Sequence, residues 1–278
     1  MTRLLILFFC LWGCAQAATP VRVVSQAVGT DELLVALAEP EQIAALSHIS
    51  KSAQYSPVAE QAKAYPSISA GDSEAILRYR PTLALFTDYS RAELVAAVKK
   101  TGVRVIVINR YATLEDVYSN LRTLGKELGR EERAEVLIAE CEARMLRLKE
   151  KLKGVKPVRV VNASTYGLLS GAGTTFQDVC DHAGAENLAT TLGGMRGVAP
   201  EVSEKMLGWP IDAVVLGGDG TAEEALAPLR GILPYRHIEA VKQGRAVVVP
   251  SALLGSVSHH RIEAYERLAR GLHPEVFR

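Results

Sequence analysis

The sequence predicts an α/β protein made of two Rossmann-like lobes that are joined by a single long α-helix. Short apolar runs alternate with amphipathic stretches along the chain, as they do in parallel α/β sheets. A long polar-rich stretch, residues 113–154, separates two such series. A short motif also recurs in both halves: SEAIL at 73–77 and SEKML at 203–207 each precede a Pro and an apolar run.

The first 17 residues have the pattern of a secretory signal peptide. Arg3 precedes the apolar run 4–12, and small residues follow as far as Ala17, the expected cleavage position. The apolar run is far shorter than the roughly 20 residues that a membrane-spanning helix needs. We therefore expect a periplasmic protein. The alternative is a lipoprotein, because the tetrapeptide that ends at Cys14 resembles a lipidation box, although the bulky Trp12 favours simple cleavage.

The N-terminal lobe is assigned to residues 18–112. Apolar, β-branched runs predict its strands, and apolar residues at helical spacing predict its helices. The strands are predicted at Arg22–Ser25, Ile43–Leu46, Leu83–Phe86 and Val103–Ile108. The helices are predicted at Asp31–Leu37, Ser56–Tyr65, Ser73–Tyr79 and Arg91–Thr101.

Residues 113–154 predict the helices that link the lobes. Thr113 can cap the first piece with Asp116 three residues on, and Gly125 and Gly129 are expected to interrupt it. The second piece runs from about residue 130 to 153 with apolar positions at helical spacing, which corresponds to a length of roughly 36 Å. We interpret it as a rigid connection between the lobes that ends at Gly154.

The C-terminal lobe is assigned to residues 155–278 and repeats the α/β pattern. Its strands are predicted at Arg159–Asn162, Ala213–Leu216 and Ala246–Val249. Its helices are predicted at Thr175–His182, Ser203–Leu207 and His259–Leu272, with a further turn of helix at Pro228–Ile232. Cys141 and Cys180 both fall in helical segments, so we expect buried free thiols, the alternative being a disulfide.

Composition excludes several classes of protein. Lys and Arg number 32 and Asp and Glu 31, so the formal net charge is +1. This near-neutral charge argues against a nucleic-acid binder that works by neutralising phosphates. A disordered chain would have fewer apolar residues than the 48% found here and a larger net charge. We therefore expect a folded globular protein that does not bind nucleic acid.

Several short pieces together resemble one known family, the periplasmic substrate-binding proteins of ABC importers for cobalamin, heme and iron–siderophore complexes. The pieces cover nearly all of the chain after the signal peptide, and their order and spacing carry the resemblance. They are YSPVA at 55–59, SEAIL at 73–77 with Arg80-Pro81, GAGTTF at 171–176 with AGAEN at 183–187, VSE at 202–204, SHHR at 258–261 and LHPEVF at 272–277.

The resemblance implies a fold, a ligand class and a partner. Two α/β lobes would hold a metal-chelate ligand in the cleft between them, with a corrinoid such as cobalamin as our first choice, then heme, then a ferric siderophore. A glutamate on each lobe, Glu74 and Glu204 here, would dock onto arginines of the membrane permease. The alternative is that both are helix N-terminal acids complementing the dipole. We expect a monomer without a resident cofactor.

Candidate ligand-binding residues follow the predicted strands, where open α/β sheets bind ligands. Tyr55 matches the family's pocket tyrosine, and Tyr89 and Tyr166 follow strands of opposite lobes. Arg110 can contact a carboxylate or phosphate through two hydrogen bonds, or it can be a solvated loop residue. The remaining candidates come from the stretch 253–260 and are Leu253 and His259.

His259 has two interpretations. It can reach the cleft as an axial ligand of heme, or it can be a first-turn residue of a helix capped by Ser258. Adjacent His259 and His260 point about 100° apart on a helix, so they cannot chelate one metal together.

Two rival functions remain. A zinc or manganese importer's binding protein would need convergent His and carboxylate ligands, but the six histidines are scattered without ligand spacing. An enzyme on the same two-lobe scaffold would need a catalytic motif. The run at 171–176 begins like a dinucleotide fingerprint but has Phe176 where the last Gly should stand, and the sequence lacks a Walker A motif. We therefore expect a non-catalytic binding protein.

Overall fold

The computed structural model describes residues 20–69, 72–200 and 203–278. The predicted signal peptide, with its alternative lipidation site at Cys14, lies outside these residues. Within the described ranges, no helix has both the length and the apolar character that crossing a bilayer requires.

The N-terminal lobe is built on a five-stranded parallel sheet with the strand order β3-β2-β1-β4-β5. This order is the Rossmann-like arrangement that the sequence predicts. The strands are β1 (Val23–Ser25), β2 (Ile43–Ser47), β3 (Ser67–Ile68), β4 (Leu83–Thr87) and β5 (Arg104–Ile108). The helices are α1 (Val28–Leu37), α2 (Ala59–Ala62), α3 (Ser73–Leu77) and α4 (Ala92–Lys100).

Successive residues of the central strands point to opposite faces of this sheet. Val23 and Leu85 lie in the cluster that includes α1, whereas Val24 and Phe86 lie in a second cluster with Ile76 of α3. Helices therefore cover both faces, which is why these strands read in the sequence as continuous apolar runs and not as alternating ones.

The linking segment forms two helices, α5 (Leu114–Leu128) and α6 (Glu131–Lys151). Thr113 and Asp116 form the predicted capping box, with each side chain bonded to the other residue's backbone N–H. Gly129 ends α5 with φ +67°, a conformation that favours glycine. Gly125, contrary to prediction, does not interrupt α5. A Cβ there would lie 2.8 Å from Cβ of Ala134, so this glycine lets the two helices pack closely.

The C-terminal lobe contains a four-stranded parallel sheet, ordered β11-β10-β6-β8, and an antiparallel pair, β7 and β9. The strands are β6 (Val158–Asn162), β7 (Leu168–Ser170), β8 (Ala185–Asn187), β9 (Val198–Pro200), β10 (Ala213–Gly217) and β11 (Ala246–Val249). The helices are α7 (Thr175–Ala183), α8 (Leu188–Thr191), α9 (Ser203–Met206), α10 (Ala222–Leu226), α11 (Glu239–Lys242), α12 (Ser251–Leu254) and α13 (Arg261–Leu272).

Two predicted helices are shorter than expected. The segment Ser56–Tyr65 contains only the four-residue helix α2, flanked by turns. The predicted helix His259–Leu272 begins at Arg261, and His260 takes the capping position that the sequence assigned to Ser258. Cys141 and Cys180 are confirmed as buried free thiols, and burial raises the pKa of Cys141 to about 11.

Candidate functional site

A cavity of about 220 Å³ lies where the two lobes meet, and we call it the junction cavity. The carboxyl ends of β1, β4 and β11 lead into it, since α1, the loop after β4 and α12 all contribute to its wall. Ligands of open α/β sheets bind at such strand ends. The residues that line it are Val28, Gly29, Glu32, Gln54, Tyr55, Tyr89, Ser251, Ala252, Gly255 and Val257.

Two tyrosines of the N-terminal lobe give this cavity an aromatic wall. Tyr55 is 54% exposed and Tyr89 is 63% exposed, so both offer ring surface to a ligand. The ring of Tyr111 meets that of Tyr89 edge to face with centroids 6.4 Å apart, and the Tyr111 hydroxyl donates a hydrogen bond of 2.9 Å to Asp88. The second aromatic ring and its hydrogen bond hold Tyr89 in place beside the cavity.

The cavity also contains a buried carboxylate, Glu32, which bridges the lobes. Its Oε2 accepts hydrogen bonds of 2.6 Å from the hydroxyls of both Ser256 and Ser258. Burial raises the pKa of Glu32 to about 7, although these two hydrogen bonds and the charge of Arg261 favour the ionised form. Burial therefore disfavours the ionised form of Glu32, and the hydrogen-bond donors that favour it come from the other lobe.

A second buried carboxylate, Asp31, has all its partners in its own lobe. It accepts a hydrogen bond of 3.1 Å from the backbone N–H of Ser47 and a short one from the hydroxyl of Ser50. Burial raises the pKa of Asp31 well above its ordinary value, and the neighbouring Glu32 adds to this shift. Asp31 is thus hydrogen-bonded within the N-terminal lobe, whereas the adjacent Glu32 is hydrogen-bonded across the lobe junction.

Arg261 is a fully buried cation that ties the C-terminal lobe to the loop in front of α5. Its guanidinium donates to the backbone carbonyl oxygens of Tyr111 at 2.5 Å and Ala112 at 3.0 Å. It also donates to the carbonyl oxygen of Ser256 at 2.8 Å and to the carboxylate of Asp178 at 2.9 Å. Its charge is therefore paired and its hydrogen bonds are made on both sides of the lobe junction.

Two further cavities follow strand ends within the single lobes. The one in the N-terminal lobe has a volume of about 60 Å³ and is lined by Gln26, Ser47, His48, Ile49, Ile68 and Ser69. The one in the C-terminal lobe has a volume of about 420 Å³ and is lined by residues 162–166 together with Leu216, Gly217, Ala225, Pro228 and Leu229. Among the described residues that line the three cavities, none is Lys or Arg.

The structure brings only some of the predicted ligand-binding residues together. Tyr55 and Tyr89 share the junction cavity. Tyr166, which is 87% exposed, lines the cavity of the C-terminal lobe. Leu253 is buried in the core, and its neighbours Ser251 and Ala252 line the junction cavity in its place.

Arg110 and His259 lie outside all three cavities. Arg110 is 81% exposed and pairs with Asp116 at 2.9 Å. His259 lies against His260, with ring centroids 4.1 Å apart. Burial and then the charges of His260 and Arg144 lower the pKa of His259 to about 3, so this histidine is neutral at physiological pH. Its placement corresponds to a residue packed at the lobe junction beside α6.

Glu74 and Glu204 occupy equivalent places in the two lobes, in the first turns of α3 and α9. Both are exposed, and neither pairs with a cation among the residues that the structure describes. Asp72, and not Glu74, caps α3 by accepting a hydrogen bond of 2.7 Å from the N–H of Ala75. Both glutamates are thus free to contact another protein.

The site residues that sequence reasoning missed are Gly29 and Glu32 of α1. Ser256, Val257 and Ser258 lie in the stretch 253–260 that the sequence singled out, but their contacts with α1 were not predicted. The available signal was a pair of adjacent acids, Asp31 and Glu32, which begin the predicted helix Asp31–Leu37 and are followed within it only by apolar residues. Within the described ranges, no three His, Cys, Asp or Glu side chains come together as metal ligands would.

A larger groove, of about 880 Å³, lies away from the strand ends, between α5, α6 and α7. Leu114, Tyr118, Met145 and Leu152 contribute apolar surface to it, and charged residues of α6 surround it. The residues that line this groove belong to α5, α6, α7 and the ends of these helices, whereas ligands of open α/β sheets bind at strand ends, so we place the candidate site at the lobe junction.

The sequence is also similar to those of known proteins. A sequence model of the family described as periplasmic binding protein matches residues 23–253. A curated relative from Bacillus subtilis (strain 168), described as the uncharacterized ABC transporter substrate-binding lipoprotein YvrC, is 24% identical over 214 residues. That match covers 74% of this chain and 66% of the relative, slightly less than two thirds of its length.

Solved structures share the fold over almost the whole chain. A periplasmic heme-binding protein from Pseudomonas aeruginosa is 25% identical with a TM-score of 0.77, covering 92% of this chain and 94% of that one. The heme-binding protein RhuT from Roseiflexus sp. RS-1 has 21% identity and a TM-score of 0.79, covering 93% and 100%. The vitamin B12 binding protein BtuF of Vibrio cholerae has 16% identity and a TM-score of 0.71, covering 91% and 96%.

Proposed function

Because the chain belongs to the periplasmic binding protein family, we propose that it is the substrate-binding component of an ABC importer and not an enzyme. The junction cavity is the observation that carries this proposal. Two exposed tyrosines of the N-terminal lobe face it, and Ser251 and Ala252 of the C-terminal lobe line its other side, which suits the capture of a ligand between the lobes. Ligand binding, without a catalytic step, is sufficient to explain this arrangement of residues around the cavity.

The proposed location is the periplasm. Relatives with this fold are described as periplasmic proteins or, in one case, as a lipoprotein. The signal-peptide pattern at residues 1–17 supports export, with lipid anchoring at Cys14 as the alternative.

The proposed ligand is a metal chelate, with a corrinoid first, heme second and a ferric siderophore third. Heme propionates and many ferric siderophores are anionic and are best recognised by Arg or Lys. The described residues that line the three strand-end cavities include neither, and Glu32 adds a carboxylate to the junction cavity. A corrinoid, whose periphery carries neutral amides, suits such a lining better. The heme-binding relatives support heme as the second choice.

Tyr89 keeps its phenol proton in the ligand-free protein. Its hydroxyl sits near Gly29, and partial burial there raises the pKa of Tyr89, with the charges of Glu32 and Asp88 adding to the shift. Because a raised pKa favours the neutral phenol in the ligand-free protein, Tyr89 is suited to stacking on a ligand or to donating a hydrogen bond.

The proposed partner is the importer's membrane permease, contacted by a monomer through Glu74 and Glu204. Their exposure, their lack of pairing within the described residues and their matching places on the two lobes support docking onto two cationic sites. Charge pairs of this kind steer and register an encounter more than they add affinity.

A binding titration tests the proposed ligand class. The protein is titrated with cyanocobalamin, cobinamide, hemin and a panel of ferric siderophores while the visible spectrum of each ligand is followed. We expect 1:1 binding of a corrinoid. Replacing Tyr55 or Tyr89 with Ala should weaken it by about tenfold or more, since each loses one stacking surface. Leu192→Ala, exposed and outside the three cavities, is the control and should bind as the wild type does.

The same titration separates the alternatives. A hemin spectrum that shows ligation by the protein, lost in Tyr55→Ala or His259→Ala, would replace the corrinoid with heme. Failure of every ligand in the panel to bind would contradict the proposed ligand class.

A further inference from the structure

Glu32 differs from the other groups of the junction cavity because it belongs to one lobe and is hydrogen-bonded by the other. We propose that Glu32 is a positioning residue: by holding the hydroxyls of Ser256 and Ser258, it fixes how far apart the two lobes stand and thereby the width of the cavity. The inference rests on the proposed function in one respect, namely that this cavity is where the ligand binds.

The hydrogen bonds themselves are well placed for this role. Both measure 2.6 Å, and both converge on the same oxygen, Oε2, of a side chain in a residue that is 2% exposed. Ser256 and Ser258 are 1% and 0% exposed, so water does not compete for their hydroxyls. Hydrogen bonds in such a dry environment are strong, and leaving one of these groups without a partner is costly.

The backbone of α1 allows the lobes to approach closely at this place. Gly29 and Glu32 are three residues apart and share one face of α1. A Cβ at Gly29 would lie only 2.0 Å from Cγ2 of Val257, which stands between Ser256 and Ser258. The C-terminal lobe therefore packs directly against the glycine, and this contact brings both serine hydroxyls within reach of Glu32.

Arg261 holds the serine-bearing segment from its other side. It donates to the carbonyl oxygen of Ser256 and to the carbonyl oxygens of Tyr111 and Ala112, which belong to the N-terminal side of the junction. Ser256 is thus fixed at its side chain by Glu32 and at its backbone by Arg261. Both attachments lead to the lobe that carries Tyr55 and Tyr89, so the segment sets the position of the opposite wall of the cavity.

The distance between the lobes can be measured without any ligand. Spin labels are attached to cysteines introduced at Lys63 and Lys242, which are exposed on opposite lobes. Cys10 and Cys14 are changed to Ser, and the two buried thiols are left in place. Double electron–electron resonance then gives the distribution of label-to-label distances.

Four variants distinguish a positioning role from a general effect on stability. The double variant Ser256→Ala/Ser258→Ala removes both donors, and Glu32→Ala removes the acceptor. Each should shift or broaden the distance distribution. Glu32→Gln keeps an oxygen that accepts both hydrogen bonds and should restore the wild-type distribution. Asp31→Asn is the matched control, because the partners of Asp31 lie within one lobe, and it should leave the distribution unchanged.

A wild-type distribution in the double serine variant would overturn the inference, and so would a shift in Asp31→Asn as large as in Glu32→Ala. If Glu32→Ala fails to fold, the serine variant still decides the matter. Where cyanocobalamin binds the wild type, the serine variant should also bind it about tenfold more weakly or worse. Because the distances are measured without ligand, failure of the whole ligand panel would count against the proposed function and leave this inference standing.

Discussion

At the scale of single residues, burial decides which groups beside the cavity carry charge. His259 is the clearest case, since its Nδ1 is buried without a hydrogen-bond partner among the described residues and its pKa falls from 6.5 to about 3. The folded protein therefore binds a proton at this ring less readily than the unfolded chain does. The stability that follows is fully present above pH 6.5 and is lost as the pH falls towards 3.

Replacing His259 with Gln should reduce this sensitivity to acid. The variant cannot take up the proton, so its free energy of unfolding should fall less than that of the wild type between pH 6.5 and pH 4. Urea denaturation at a series of pH values measures the difference. His48→Gln, at an exposed histidine, is the control and should follow the wild-type curve. Parallel curves for His259→Gln and the wild type would show that His259 is not neutral in the folded protein.

Single residues of the site were predictable only where position along the chain revealed them. Tyr89 follows the predicted strand Leu83–Phe86, and Tyr55 begins the motif YSPVA. The structure brings both to the junction cavity. Glu32 and Ser258 are 226 residues apart in sequence, so no local pattern reports their hydrogen bond. His259 shows another limit, because the sequence places it near the start of α13 but does not reveal that its ring is buried.

At the scale of elements, the break between α5 and α6 depends on the left-handed conformation of Gly129, whose φ is +67°. Gly129→Ala should lower the free energy of unfolding by about 1 kcal/mol, since a Cβ disfavours this conformation although nothing lies within 4 Å of it. Chemical denaturation measures the change. Gly231→Ala also has open space and lacks the positive φ, so it is the matched control and should change stability much less. Equal effects in the two variants would contradict the argument.

The elements that were predictable are the ones with enough residues to show a pattern. Strands such as β4 and β10 are continuous apolar runs, and α5 and α6 combine caps with helical spacing. Strands β3, β7, β8 and β9 have two or three residues each, which is too short for a period to emerge. The predicted interruption at Gly125 is wrong, because sequence does not show whether a glycine ends a helix or lets a neighbouring helix approach.

At the scale of the whole molecule, the two lobes share one continuous core. A single apolar cluster contains Leu33 of α1, Leu121 of α5, Ile138 of α6, Val179 of α7 and Leu268 of α13. The linking helices are therefore packed into both lobes and do not act as a free hinge. We expect only limited lobe movement on ligand binding, so recognition depends on a cavity whose shape is largely present beforehand.

The proposed transport role requires that the permease bind one surface of the protein while the ligand is still bound in the junction cavity. Glu74 and Glu204 lie on different lobes, so both can be engaged at once only when the lobes stand at a defined separation. Reversing both charges should therefore separate the two functions: docking should be lost, and the cavity, which includes neither residue, should bind ligand as before.

The most direct test of the account is ATP-driven uptake of the ligand identified by titration, measured in vesicles that contain the permease. Glu74→Lys/Glu204→Lys should reduce uptake to the level seen without the binding protein while the Kd for the ligand stays unchanged. Glu41→Lys/Glu239→Lys, at exposed acids elsewhere on the two lobes, should transport normally. Undiminished uptake by Glu74→Lys/Glu204→Lys would contradict the claim that this protein delivers its ligand through these two residues.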